Sequence, residues 1–350
     1  MLCWCIIYCM VIRLIYVFHH KYLDKGGTMR IAILGAGNIG GTMARTVNGM
    51  EDAKCYAVAS RNLLKAQEFA EKYGIEKAYG SYDEMLSDPL VELVYVATPH
   101  SHHYEHMKLC IAHKKPILCE KAFTANEVQA REIFKLARQE NVFVTEAIWT
   151  RYVPMRKTID HIIESNVIGT PYMLTANLGY LISHKERIVE PALAGGALLD
   201  IGIYPLNFAM MAFKGEVDKI LSTATISDKG VDEQDSMTIM YRDGKMAVLH
   251  ATTKALSDRM GIISGSKGYL VVENINNPEM IRVYNTNREE IATYQAPKQI
   301  TGYEYEVQAS MKAIKAGKIE CEEMPHEESL RMLKFMDQMR AQWGVKYPFE

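Results

Sequence analysis

Ile31 to Leu34 is a short apolar run that leads into Gly35-Ala36-Gly37-Asn38-Ile39-Gly40. In a G-x-G-x-x-G loop the first glycine permits a tight turn and the second lets backbone approach a pyrophosphate. The third lets the following helix pack against the strand. Unpaired N–H groups at the helix start, with Asn38 and Ile39 in its first turn, would then meet the phosphates. The strand before the glycines and the helix after them make dinucleotide binding the reading of this loop. About 20 residues further on, an NAD enzyme usually carries Asp or Glu for the ribose 2′-hydroxyl. This chain has Ala59-Ser60-Arg61-Asn62 there. A guanidinium pairs with a 2′-phosphate and stacks on adenine, and Ser60 adds a hydroxyl donor. The expected cofactor is therefore NADP, with NAD as the other candidate. The competing reading is structural, with Ser60 capping the helix that starts at Leu63 and Arg61 solvated.

Three more groups of chemically able side chains fall where strands end. They are Thr98-Pro99-His100-Ser101-His102-His103, then Glu120-Lys121-Ala122, then Glu146 through Trp149-Thr150-Arg151. A fourth runs from Gly195-Gly196 through Asp200 to Tyr204. Asp200 and Tyr204 are four apart, so a helix would put them on one face. The glycine pair is either a turn before that helix or a place of close ligand approach. His100, His102, His103 and His106 resemble metal ligands by composition, but no Cys or Glu-His partner motif accompanies them, and no metal is expected.

The elements that must hold these residues divide at about residue 150. From Met29 to Glu146, short β-branched runs (Arg30–Leu34, Cys55–Ala59, Leu93–Ala97, Pro116–Cys119, Val142–Thr145, with a short one near Lys77–Tyr79) alternate with helical patterns. Alternation of this kind predicts a doubly wound α/β domain with a parallel sheet covered on both faces, over 29–150. Residues 151–350 read differently. One helix near Met155–Ser165 precedes a series of strands from Tyr172 to Tyr294, linked by turns such as Asp243-Gly244 and Gly265-Ser266-Lys267-Gly268. Helices at Tyr303–Ala316 and His326–Trp343 close the chain, the Met-rich face of the last one being core packing. This is an α+β domain with a mostly antiparallel open sheet.

Together the ordered motifs, including Ala78-Tyr79-Gly80-Ser81-Tyr82, resemble the glucose–fructose oxidoreductase and inositol dehydrogenase family. Within it they are most similar to the branch of dimeric dihydrodiol dehydrogenases and NADP-dependent D-xylose 1-dehydrogenases. The resemblance runs from Met29 to the C-terminus. It implies a catalytic Lys121 within a Glu-Lys-Pro motif, with Glu120 helping to hold the nicotinamide ribose region. It implies a catalytic Tyr204 and an Asp200 that orients the lysine or a substrate hydroxyl. Thr98, Pro99, His100 and His103 would line the cofactor, with Trp149 and Arg151 on its nicotinamide side. Tyr180, His184 and Arg187 are substrate candidates. Ala122 departs from the family's proline and removes its restraint on Lys121. The implied reaction is hydride transfer between the nicotinamide and a sugar, polyol or related alcohol or carbonyl. Tyr is a poor base at its ordinary pKa of about 10, and a nearby Lys121 ammonium is expected to favour the phenolate. Two other classes stay open: a glycosidase with a retained dinucleotide, and a non-catalytic NADP sensor. The branch also implies a homodimer through the C-terminal sheet.

Composition narrows the field. The 350 residues carry 40 basic and 42 acidic side chains, a formal charge of -2, which is unsuited to a polybasic nucleic-acid binder. Seven cysteines form no CxxC pair, so neither a zinc module nor a disulfide framework is expected and a cytoplasmic setting is the default. Residues 1–28 stand apart. Met1 to Phe18 is apolar apart from Arg13, short for a membrane span and lacking a signal-peptide cleavage site. The expectation is a misassigned start, with Met29 opening the functional unit and Lys25-Gly26-Gly27 a translated ribosome-binding sequence. A membrane anchor is the alternative, in which case the membrane becomes a partner.

Overall fold

The computed structural model describes residues 27–350, so the expectations for the apolar leader lie outside the described residues apart from its last two. Six strands, β1 (Met29–Leu34), β2 (Ala53–Ala59), β3 (Lys77–Tyr79), β4 (Leu93–Val96), β5 (Ile117–Glu120) and β6 (Val144–Ala147), form one parallel sheet. Their spatial order is β3-β2-β1-β4-β5-β6. β4 and β5 are buried on both faces, which is why they read as unbroken apolar runs rather than alternating ones. Strand order reverses between β1 and β4, and ligands of such sheets bind at the carboxyl ends of the strands at that point. The glycine loop follows β1 and the Thr98 loop follows β4, so topology brings the two together.

Local chemistry sets the helix ends. In the helix Leu63–Tyr73 the side chain of Asn62 accepts from the Lys65 N–H at 3.2 Å, and Gly74 stops the helix at φ +66°. Glycine there avoids the Cβ strain of a left-handed residue.

The second sheet has eight strands in the order β14-β13-β12-β11-β7-β10-β9-β8. They are β7 (Pro171–Gly179), β8 (Val217–Ile226), β9 (Asp232–Tyr241), β10 (Met246–Thr252), β11 (Gly261–Gly265), β12 (Gly268–Glu273), β13 (Met280–Asn285) and β14 (Glu290–Gln295). All neighbours are antiparallel except β7 and β10, which run parallel. Leu174, Leu178, Met237, Ile239 and Leu249 are buried on the inner face, where β7 and β10 meet the helix Ile203–Ala212. The run Pro191–Ala212 is long and apolar enough to cross a membrane, yet 94% of its most apolar window is buried in the protein. It is a core segment.

The helix Glu304–Lys315 returns to the first sheet, where Val307 and Met311 share a core with Ile31, Ile33 and Tyr95. An amphipathic pattern says that one face is buried; it does not say which of two sheets buries it.

Candidate active site

Two of the three loop glycines are required by the protein's own packing. Gly35 sits at φ +115°, and a Cβ on it would lie 2.9 Å from the Ala97 carbonyl oxygen. A Cβ on Gly40 would lie 2.7 Å from the Gly35 carbonyl oxygen. Gly37 is different: the nearest atom to its Cβ position is the Ala97 carbonyl oxygen, 4.0 Å away. Gly37 also begins the helix Asn38–Asn48, which has no side-chain cap and no acid in its first turn. Its first N–H groups therefore have room and partial positive charge for an anion, and a dinucleotide pyrophosphate fits them.

Ser60 is buried at the end of β2, and its Oγ accepts from the Asn62 N–H at 3.3 Å. Asn62, not Ser60, caps the next helix, which removes the capping reading of Ser60. Arg61 is exposed and makes no hydrogen bond or ion pair among the described residues. It lies near enough to Tyr82, His102 and His106 for its charge to act on each. An unpaired guanidinium at the end of the second strand suits a 2′-phosphate.

Across the cleft, Lys121 reaches from the end of β5 to the second domain. Its Nζ donates to the Asp200 carbonyl oxygen at 2.6 Å and to Asp200 Oδ1 at 3.3 Å. The same ammonium stands 5.2 Å from the centroid of the Tyr204 ring. Asp200 and Tyr204 are only 4% and 7% exposed. Both occupy the wide helical turn Leu198–Gly202 and the helix that continues from it, on one face as their spacing predicts. The Lys121–Ala122 peptide bond is cis.

Burial by itself would raise the Asp200 carboxyl. Lys121, Arg187 and His100 outweigh it and hold the group well below the usual carboxylate range. Arg187, expected near substrate, is spent on this ion pair with Asp200. Tyr204 behaves opposite to expectation. Burial, with Tyr303, Glu120 and Asp200 adding to it, pushes the phenol well above its ordinary value, against the Trp149 indole. The Lys121 ammonium faces the ring and is directed at Asp200, so the phenol is neutral in this state.

The remaining expected residues divide. Pro99 precedes the helix His100–Ala112, and Thr98 Oγ1 meets His106 Nδ1 at 3.0 Å. His103 stands between the Thr98 carbonyl oxygen (2.7 Å) and the Ala122 carbonyl oxygen (2.9 Å), tying the β4 loop to the Lys121 turn. Burial pushes His103 down to about 4 and His100 to about 3. A neutral ring has one N–H, so His103 bonds one of the two carbonyls at a time. Glu120 has both oxygens taken, by the Tyr95 hydroxyl and the Lys121 N–H. Trp149 stacks on Tyr303 with centroids 4.3 Å apart and planes 7° apart. Its indole N–H donates to Asn276, whose amide donates to the Tyr180 hydroxyl at 3.2 Å.

Arg151 corrects an expectation. It donates to Asn207 Oδ1 at 2.6 Å and to Glu328 Oε2 at 2.9 Å, and so pins helices rather than a nicotinamide. His184 is exposed and has no hydrogen-bond partner among the described residues. Glu146, which headed one of the motifs without a role, holds the Phe123 N–H and the Ser329 hydroxyl, while Asn276 and Tyr303 escaped the sequence reading as site residues. The fixed 3.6 or 2 periodicities that reveal elements carry no signal for such distant partners.

Two family models match the chain: an oxidoreductase family with an NAD-binding Rossmann fold over residues 29–148, and the GFO/IDH/MocA C-terminal domain over 157–271. The trans-1,2-dihydrobenzene-1,2-diol dehydrogenase of Danio rerio is 34% identical over 327 residues, covering 91% of this chain and 98% of the relative. The enzyme of the same name from Mus musculus is 31% identical over 333 residues, with the same coverage. Among solved structures, the 3-ketoreductase KijD10 of Actinomadura kijaniata, in complex with NADP and TDP-benzene, superposes with a TM-score of 0.82. It is 22% identical and covers 90% of this chain and 98% of its own, which shows a shared fold. A dinucleotide-ready loop, a strand-end lysine, two family-model matches and relatives that align along 91% of the chain lead to one conclusion: the chain belongs to the GFO/IDH/MocA family of oxidoreductases.

Proposed function

We propose that the protein is an NADP-dependent oxidoreductase that interconverts an alcohol and a carbonyl on a sugar, a polyol or a trans-dihydrodiol. The observation that carries this reading is the meeting of Lys121 and Tyr204, from different domains, at the strand-end side of the glycine loop. The bare Arg61 supports NADP over NAD, as does the ligand that the KijD10 structure holds. When bound, NADPH supplies the hydride for the carbonyl carbon, and NADP accepts it in the reverse direction.

Tyr204, held neutral by burial, is set to donate its proton to a substrate carbonyl oxygen as that oxygen gains negative charge. Lys121 can hydrogen-bond the same oxygen, and Asp200 holds the ammonium in place. Oxidation asks Tyr204 to accept the hydroxyl proton instead. That requires Lys121 to turn from Asp200 toward the phenol oxygen, where its charge lowers the phenol pKa.

The full chain mixed with NADP and a panel of aldoses, polyols and trans-dihydrodiols, or with NADPH and dicarbonyls, should change nicotinamide absorbance. Tyr204→Phe should lower kcat by roughly 10²–10⁴-fold while NADP still binds. No turnover with any of these classes overturns the proposal. Turnover without net nicotinamide change would favour a glycosidase, and binding without any turnover a sensor.

The reading includes a homodimer through the open face of the second sheet. Met173, Met246 and Met240 are neighbours across β7, β10 and β9, and all three are exposed, as is Leu221 on β8. Sedimentation should show a dimer that Met246→Lys weakens.

A further inference from the structure

The helix His326–Trp343 is stopped by Gly344 at φ +73°, and the residues after it fold back onto its last turn. The Val345 N–H donates to the Arg340 carbonyl oxygen at 2.9 Å, and the Arg340 guanidinium stands 4.5 Å from the centroid of the Tyr347 ring. Glu350 takes the same guanidinium with both carboxylate oxygens, at 2.8 and 2.9 Å, and accepts from the Tyr347 N–H at 3.0 Å. A two-pronged ion pair set against an aromatic ring fixes the direction of every group in it. Arg340 and Tyr347 are both buried.

This cluster holds both sides of the candidate site from behind. On the first-domain side, Arg340 Nη2 donates to the Ala125 carbonyl oxygen at 3.3 Å, and the Asn126 amide donates to Glu350 Oε1 at 2.8 Å. Ala125 and Asn126 end the irregular stretch that Lys121 begins. On the second-domain side, the Tyr347 hydroxyl donates to the Gly195 carbonyl oxygen at 2.8 Å. Gly195 leads into the helical segment that carries Asp200 and Tyr204. Lys121 and Asp200 thus meet across the cleft, while the backbones that carry them are tied to one cluster on the far side.

We propose that Tyr347 is a positioning residue: with Arg340 and Glu350 it straps the Lys121 turn to the segment 195–204, and so sets where the Lys121 ammonium meets Asp200 and the Tyr204 ring. A single ammonium contact fixes how closely two segments approach but leaves them free to rock about it. The Tyr347 hydroxyl supplies a second, directional tether. Without it, Tyr204 leaves the position from which it can reach the oxygen that Lys121 holds, and ångström-scale misplacement of a reacting group costs up to about 100-fold in rate. Among the described residues, no hydrogen bond of Arg340, Tyr347 or Glu350 goes to the glycine loop, so cofactor affinity is set elsewhere. The catalytic consequence rests on the proposed function; the strap itself does not.

Tyr347→Phe keeps the ring against Arg340 and removes the bond to Gly195. Amide hydrogen exchange on the full chain reads the strap without any substrate. In Tyr347→Phe the rate over residues 195–204, relative to that over 35–48, should rise about tenfold, the scale of one lost hydrogen bond. Ile281→Val, a small cavity in β13, controls for general loss of stability and should leave that ratio as it was. Glu350→Ala keeps Tyr347 but frees Arg340 and Asn126, and should raise the relative rate over 122–127. Kinetics then tests the consequence: Tyr347→Phe should lower kcat about tenfold with NADP affinity within about twofold, and Ile281→Val should change neither. An unchanged exchange ratio in Tyr347→Phe or in Glu350→Ala overturns the strap. A native kcat in Tyr347→Phe whose exchange has risen overturns the positioning role. If the native sequence turns over no substrate, the proposed function fails and the exchange result still decides the strap.

Discussion

Two of the glycine-led helix starts among the described residues are filled from opposite directions. After β1, Gly37 opens onto free space and the helix Asn38–Asn48 has no side-chain cap. After Ala194, the pair Gly195-Gly196 precedes the helical segment that carries Asp200 and Tyr204. There the anion comes from the protein: Asp232 of β9 accepts from the Leu198 N–H at 2.6 Å. Gly196, at φ +122°, is required because a Cβ would fall on the Asp232 carboxylate. Of the two readings of this glycine pair, the structure selects the turn. One helix start is left ready for an outside phosphate, and the other is closed by the chain so that Asp200 and Tyr204 are held firmly.

That contrast can be broken by measurement. The largest effect should come from Gly196→Ala, which combines a steric overlap with an unfavourable φ. Folding stability should fall by about 3 kcal/mol in urea, with NADP affinity of the folded protein unchanged. An unaltered unfolding midpoint would end the comparison.

Next is the pH dependence of Asp232. Burial pushes this carboxyl up to about 6, above its value in an unfolded chain. Between pH of about 4 and 6 the folded state therefore holds more protons than the unfolded one, and stability falls as pH rises through that window. Asp232→Asn cannot ionise and escapes the loss. Its stability relative to the native sequence should rise by about 2–3 kcal/mol from pH 4 to pH 7. A constant difference across that range would mean that the carboxyl does not titrate there.

Smaller effects belong to the open helix start. Arg61→Ala should weaken NADP by about 2 kcal/mol and leave NAD alone, as titration with both nucleotides would show. Equal losses would remove Arg61 from the 2′-phosphate. Gly37→Ala should weaken NADP by about 1 kcal/mol with the melting temperature within about 2 °C of the original, because the added Cβ meets no protein atom closer than 4.0 Å. A large drop in melting temperature would make Gly37 structural, like Gly196.

The fold was largely legible. Buried parallel strands read as apolar runs and half-buried antiparallel ones as alternation, so nearly every strand was found within a few residues. The pairing was not: β7 lies parallel to β10, some 75 residues later in the chain, and no local pattern encodes that register. The helix Glu304–Lys315 was recognised, but not its return to the first sheet. In the site, Lys121, Asp200 and Tyr204 carried recognisable motifs and do meet. Arg151 carried one too, yet its Nε and one terminal nitrogen are held by Asn207 and Glu328. Asn276 and Tyr303 carried none, since each matters through a neighbour far away in sequence.

What the amino-acid order determined by itself is everything set by short-range geometry. This includes the glycine loop and the helix after it, the arginine where a dinucleotide enzyme often has an acid, and the i, i+4 placement of Asp200 and Tyr204. Only the tertiary structure decided which charges are spent and which are left. It turned Arg187 and Lys121 toward Asp200, left Arg61 without a partner among the described residues, and pushed the Tyr204 phenol above its ordinary value. Ionisation depends on burial and on charges within a few ångströms, and those distances exist only once the two sheets and the returning helix have packed.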